Sequence, residues 1–316
     1  MSKALGALVQ KYGPYSAHNI RLADGIYTMN DRVNFDHFKL NRIKQIVADL
    51  GLLQKNRALL DIASLESMFA IEFALEGLNV ISIEGRESNL ERGKFAAQAL
   101  GLKRLAFHQD DVNNISSEKY GTFDVVLCMG ILYHISKEKY ARFLANVAAC
   151  CKEALIIDTF VSLRGREVLE WEGVRYRGTT WREFDDSAGA EEKKGNLHAA
   201  LSDNFSFSMS KESLMAFLQT LGFTSVLEAH VPFQPNGPRD RVTLVCKKGK
   251  AVALKVFPAF DHKISAEAVV DTRGIGGRQI VHWNENPAMR GLRRSFRLLR
   301  RQINSLRRKQ QTQKES

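Results

Sequence analysis

The sequence is short of cysteine: four in 316 residues, at Cys128, Cys150, Cys151 and Cys246, with no CxxC pair. That spacing argues against both a disulfide framework and a zinc knuckle, so the four are expected to be reduced, mostly buried, small apolar side chains. The eight histidines are scattered without an HExxH or similar ligand spacing, and no metal site is expected. Long apolar runs are missing as well. None approaches the roughly 18–20 residues that span a bilayer, and the opening MSKALGALVQKYG lacks the apolar h-region of a secretory signal. A soluble, cytoplasmic protein is expected.

Charge is unevenly spread. The chain carries 46 Lys and Arg against 35 Asp and Glu, a formal net charge of +11 that would favour nucleic acid or an anionic membrane as partner. Residues 287–316 hold eight Arg, two Lys and one Glu, whereas residues 1–286 hold 36 basic and 34 acidic side chains. The body is nearly neutral and the tail strongly basic. Within that tail Met289, Leu292, Phe296, Leu299, Ile303 and Leu306 recur every three or four residues, which predicts an amphipathic helix with arginines on its other faces. Such a helix suits packing on another chain or on the body, an anionic membrane surface, or RNA phosphates, the last fitting least because RNA binding needs no regular stripe.

With 44% hydrophobic and 26% charged residues, the body is an ordinary globular chain. Residues 18–29 flank Asp24-Gly25 with alternating apolar positions, the pattern of a hairpin, and residues 35–51 have helical apolar spacing closed by Gly51. From 58 to 160, β-rich runs (58–63, 79–84, 104–109, 123–129, 154–160) alternate with helical stretches near 66–76, 88–100 and 137–151. This alternation predicts βαβ units, hence an α/β fold with a doubly wound, mostly parallel sheet. Residues 161–209 interrupt it with Trp171, Tyr176, Trp181, Phe184, Phe205 and Phe207, an aromatic-rich insertion after the fifth run that could serve as a lid or as a small core of its own. A helix at 210–221 and two β-runs, 225–233 and 241–248, predict a closing antiparallel hairpin. The expected organisation is a leader (1–54), a main domain (55–250) with its insertion, an extension (251–286) and the basic tail (287–316).

Ligands of open α/β sheets bind beyond the carboxyl ends of the strands. The segments there are Asp61 to Phe69, Glu84-Gly85-Arg86, Asp110-Asp111-Val112 and Met129 to His134; Glu84 follows Asp61 by 23 residues, close to the spacing of a ribose-binding acid. In this order, LLDIASLE, NVISIEGRESN, FHQDDV and FDVVLCMGILYH resemble the S-adenosylmethionine-dependent methyltransferases of the Rossmann-like class over about residues 55–160. FDVVLCMGILYH with the HNIRLADG leader is similar, more narrowly, to tRNA wobble-uridine carboxymethyltransferase-like proteins.

The resemblance implies S-adenosylmethionine as cofactor and assigns residues to it. Asp61, with Ala63, Ser64 and Glu66 of the loop, would hold the methionine end, and Glu84, with Gly85 and Arg86 beside it, the ribose hydroxyls. Asp111 would take the adenine amino group with Asp110 and Val112 alongside, and Met129, Gly130 and Leu132 would line the methyl-donor region. Tyr133 and His134 would face the acceptor. An imidazole titrates near neutrality, so His134 is the first candidate for a catalytic base and Asp158 the second. The sequence departs from the family in having Ala63 and Ser67 where glycine is usual, so a non-catalytic binding protein is an alternative. As an enzyme, the chain is expected to methylate an O or N nucleophile of a small or glycan-like acceptor, with tRNA as the alternative. Arg164, Arg166, Arg175, Arg177 and Arg182 of the insertion could meet an anionic acceptor.

Overall fold

The computed structural model describes residues 1–32, 35–229 and 240–251, all within one unit, Met1–Val252. Residues 230–239, which include the end of the expected 225–233 run, and residues 252–316, with the rest of the extension and the basic tail, lie outside the described residues.

The chain opens with a helix that the sequence reading passed over, α1 (Ser2–Tyr12), whose Leu5 and Leu8 pack on the body. The leader hairpin follows as β1 (Arg21–Ala23) and β2 (Ile26–Tyr27), then α2 (Phe35–Asp49). The alternating region supplies β3 (Ala58–Ile62), α3 (Met68–Leu75), β4 (Asn79–Glu84), α4 (Glu87–Ala99) and β5 (Leu105–Gln109). It continues through the short α5 (Ser117–Tyr120), β6 (Phe123–Met129), α6 (Lys137–Cys150) and β7 (Cys151–Phe160).

The insertion is a three-stranded antiparallel sheet of β8 (Glu167–Trp171), β9 (Val174–Arg182) and β10 (Phe205–Met209), with α7 (Ala190–Gly195) between the last two. Then come α8 (Lys211–Thr220), β11 (Ser225–Glu228) and β12 (Arg241–Lys247).

Seven strands form the central sheet in the order β11-β12-β7-β6-β3-β4-β5. The five from β3 to β7 run parallel, β12 pairs antiparallel with β7, and β11 pairs antiparallel with β12, the closing hairpin that the apolar runs predicted. The strands read as continuous hydrophobic runs because both faces are covered. Successive residues of β6 divide accordingly: Val126 and Cys128 enter the core under α6, while Val125 and Leu127 enter the core under α2 and α3. All four cysteines are buried.

The insertion does not have a core of its own. Leu169, Tyr176, Phe207 and Met209 join the same cluster as α6 and α8, with Phe207 edge-on to Tyr140 at 5.2 Å and Tyr176 edge-on to Phe217 at 5.0 Å. Gly178 permits this contact, since a β-carbon there would come within 2.1 Å of the Phe207 ring.

Candidate functional site

Strand order reverses between β3 and β6, and the carboxyl ends of β3, β4, β5 and β6 open there onto a cavity of about 360 Å³. Thirteen of the sixteen residues singled out in the sequence line it. Asp61, Ala63 and Ser64 stand at the end of β3, Glu84, Gly85 and Arg86 at the end of β4, and Asp110, Asp111 and Val112 after β5. Met129, Gly130, Tyr133 and His134 line it from beyond β6.

The loop from β3 to α3 is unusual in its backbone. Ala63, Leu65 and Ser67 have φ of 53°, 51° and 63°, three non-glycine residues in the left-handed region. Each costs of order 1–2 kcal/mol relative to glycine, so the surroundings must impose the conformation. They do so with buried hydrogen bonds. Leu65 donates its N–H to Glu84 Oε2 at 2.9 Å, and the hydroxyls of Ser64, Ser67 and Ser82 form a closed triangle with edges of 2.7–3.1 Å. The loop keeps its left-handed path without the family's glycines.

Electrostatics at the strand ends differ residue by residue. Asp61 is fully enclosed, and burial, reinforced by Glu84 against an opposing hydrogen bond from the Ala70 N–H, pushes its carboxyl up to about 7. Its Oδ2 is buried without a hydrogen-bond partner. Burial also raises Glu84, opposed by the N–H groups of Arg86 and Leu65. Asp111 caps the following turn through Asn113, whose N–H donates to its Oδ1 at 2.9 Å. For Asp110 burial is outweighed by donors from Asn114, Lys119 and Tyr120, which bring it down to about 2 and engage both of its oxygens in bracing that turn.

Three assigned residues do not line the cavity. Glu66 is wholly buried and turned toward the leader, where Oε2 accepts the N–H of His18 at 2.9 Å and Oε1 the Ser16 hydroxyl at 2.9 Å, beside Arg92 Nη1 at 3.4 Å. Leu132 is a core side chain under α6. Asp158 is bound through Oδ1 to Arg241 Nε at 2.8 Å and through Oδ2 to the Thr243 hydroxyl at 2.9 Å, an ion pair whose oxygens are already engaged. Nor do the insertion's arginines line the cavity; its lysine and arginine side chains are Lys39, Arg86 and Arg241.

Other residues join the site only in the folded chain. Leader residues Ala17, His18, Asp36 and Lys39 line one wall. Segment 197–203, between α7 and β10, lines the wall over Glu84 and Gly85, with Leu201 so close that a β-carbon at Gly85 would lie 2.7 Å from it. Glu183, just past β9, meets His134 Nδ1 through Oε1 at 2.7 Å. Burial would raise Glu183, but His134, Ser206 and the Ala200 N–H together hold it below its ordinary value. Tyr133 lies between the His134 and Phe160 rings, at 4.3 and 4.9 Å. No sequence motif marks Glu183; it sits in a charged stretch indistinguishable from a solvated one.

Residues 59–154 match the family described as "Methyltransferase domain". Among curated proteins, the chain is 28% identical over 133 residues to a ubiquinone biosynthesis O-methyltransferase of Rickettsia prowazekii (strain Madrid E), covering 42% of this chain and 49% of that protein. It is 28% identical over 79 residues to a protein of the same name from Acinetobacter baumannii (strain AYE), covering 25% of this chain and 33% of that protein. The chain thus spans about half or less of the length of these relatives. Among solved structures, the N-terminal domain of EvdMO1, crystallised in the presence of SAH and D-fucose, superposes with a TM-score of 0.61 at 19% identity, covering 78% of this chain and 97% of that one. That likeness bears on the fold alone. The narrower resemblance to tRNA wobble-uridine enzymes finds no support among these relatives.

The cavity suits the cofactor of this family. Asp61 Oδ2 is a buried acceptor still lacking a donor, and Glu84 presents a second carboxylate from the end of the neighbouring strand. Residues 59–154 thus match a methyltransferase domain, and S-adenosylmethionine is the cofactor that the lining of the cavity fits.

Proposed function

We propose that the protein transfers a methyl group to a hydroxyl of a small acceptor, with His134 as general base and Glu183 as the residue that orients it. The observation that carries this reading is the 2.7 Å contact between His134 Nδ1 and the Glu183 carboxylate at the cavity wall. A carboxylate only accepts, so Nδ1 holds the proton and Nε2 is left as the basic nitrogen. A hydroxyl must lose its proton as it reacts, whereas a neutral amine needs no such help, so this pair favours oxygen as the methylated atom. The names of the curated relatives are consistent with that choice.

Bound S-adenosylmethionine supplies an electrophilic methyl group on a sulfonium. In this reading Glu84 receives the ribose hydroxyls, Asp111 the adenine amino group and Asp61 the methionine ammonium. Tyr133 offers an aromatic face beside the base. The hydrogen-bonded loop at 63–67 supports retained cofactor binding, against the alternative of a non-catalytic relative.

The test is methyl transfer to a panel of phenols, catechols, hydroxylated sugars, amines and tRNA, read by mass. Methylation of hydroxylated small molecules is expected. Turnover confined to amines or to tRNA would refute the proposal. Glu84→Ala is expected to weaken S-adenosylhomocysteine binding at least about tenfold, since charge-assisted hydrogen bonds are lost; unchanged affinity would contradict the ribose assignment.

Proton linkage offers a second test. Asp61, ordinarily ionised above pH 4, is held protonated to about 7 by its burial in the folded chain. Between those values the folded chain binds a proton that the unfolded chain does not, so this group's contribution to stability falls as pH rises through the window. A cofactor ammonium would reverse the preference and expel the proton. Calorimetry at pH 6 in buffers of different ionisation enthalpy should therefore show release of up to about one proton on binding, absent in Asp61→Asn. Identical heats in all buffers for the wild type would remove Asp61 from the ammonium site.

A further inference from the structure

Arg86 follows the ribose-facing Glu84 by two residues and caps the start of α4, yet its side chain is committed to the insertion. Its Nε donates to the Lys194 carbonyl at 3.2 Å, and Nη2 lies 3.1, 2.8, 2.9 and 3.4 Å from the carbonyls of Lys193, Asn196, Ala199 and Ala200. One guanidinium thus gathers the carboxyl end of α7 and the segment after it. That segment covers the part of the cavity bounded by Glu84 and Gly85.

The same segment reaches the other end of the site. Ala200 donates its N–H to Glu183 Oε2 at 2.6 Å, while Glu183 Oε1 holds His134. A continuous chain of contacts runs from Glu84, whose Oε1 accepts the Arg86 N–H at 2.9 Å, through the Arg86 side chain and Ala200 to Glu183 and His134.

We propose that Arg86 is a positioning residue that latches segment 196–203 over the adenosine end of the cofactor and, through Ala200 and Glu183, sets the orientation of His134. This rests on reading the cavity as the cofactor site and His134 as the base. Its consequence is that cofactor capture and alignment of the base are one event. Glu84 feels the ribose, Arg86 holds the cover, and the cover holds the carboxylate that orients the imidazole.

The experiment uses the full chain, S-adenosylhomocysteine and no acceptor, so it does not depend on the methylated substrate. Arg86→Ala removes the latch; Arg86→Lys keeps the charge but cannot reproduce the planar fork of donors, and serves if the alanine variant folds poorly. Hydrogen exchange should show 196–203 protected in the wild type and further protected by ligand, with protection lost in Arg86→Ala and reduced in Arg86→Lys. Affinity should fall about ten- to a hundredfold in Arg86→Ala, the range for charge-assisted hydrogen bonds, and less in Arg86→Lys. In NMR spectra, ligand should move the His134 ring resonances in the wild type and leave them nearly still in Arg86→Ala.

Full affinity in Arg86→Ala, or a His134 response unaltered by it, would overturn the latch while leaving the proposed function standing. Failure of the wild type to bind S-adenosylhomocysteine would overturn both.

Discussion

Replacing His134 by alanine is expected to lower kcat on a hydroxylated acceptor by about 10²–10⁴-fold, the range for loss of a positioned general base, with S-adenosylhomocysteine affinity changed by less than about threefold. The reason for the split is location. His134 lies beyond β6, on the side proposed for the acceptor, whereas the residues assigned to ribose and adenine lie beyond β4 and β5. Glu183→Gln should cost less, about ten- to a hundredfold, because the amide oxygen still accepts from Nδ1 but no longer stabilises the imidazolium. The split between kcat and KM distinguishes a positioning role from a structural one: Glu183→Gln should lower kcat and leave acceptor KM and S-adenosylhomocysteine affinity nearly unchanged. An His134→Ala enzyme with near wild-type kcat would transfer the base role elsewhere; Asp158 is a poor successor, being already paired with Arg241.

Glu66→Gln is expected to destabilise the protein by about 3–5 kcal/mol, as happens when one partner of a buried ion pair is removed. Glu66 is wholly enclosed and Arg92 is 2% exposed. The carboxylate is the common acceptor for the backbone N–H groups of Ser16, Ala17 and His18, the Ser16 hydroxyl and the Arg92 guanidinium. An amide supplies one acceptor oxygen and turns two donors toward groups that are themselves donors. Arg92 would lose its charge partner while still donating to the carbonyls of Tyr12 and Gly13.

Urea unfolding should show the loss as a shift of midpoint at constant slope. Because Ala17 and His18 line the cavity, cofactor affinity should fall with it. A loss below about 1 kcal/mol would mean that the leader is held by its apolar contacts instead, through Tyr15, Ile20 and Leu22.

These expectations divide according to what a linear reading can reach. The strands of the parallel sheet were legible because burial on both faces demands short apolar runs, and helices between them announce themselves by period and by a closing glycine. The placement of Asp61, Glu84 and Asp111 at the cavity was legible for a related reason: strand ends locate the loops that surround it. Helix α1 escaped notice because it buries no residue completely and its signal is only Leu5 and Leu8 at partial burial.

The errors share a cause. Glu66, Leu132 and Asp158 sit at the right places along the chain, but direction of the side chain decides whether they face the cavity. Each points into the protein, toward the leader, the core under α6 and Arg241 respectively. The insertion was open to reading as a lid or as a small core of its own; its strands instead pack into the shared cluster, while segment 197–203 lines the cavity.

Alternation of β-runs and helices therefore determined the sheet, the end of it at which the cavity opens, and the acidic residues found there, since each follows from periodicity and strand direction within about a hundred residues. The net charge of +11 proved to be a statement about the tail, not about the body that holds the cavity. Only the tertiary structure decided what surrounds those acids. Contacts between Arg86 and Ala200, Glu183 and His134, and Glu66 and the leader join residues 48 to 114 positions apart. Their hydrogen bonds depend on packed geometry, which leaves no mark in local spacing.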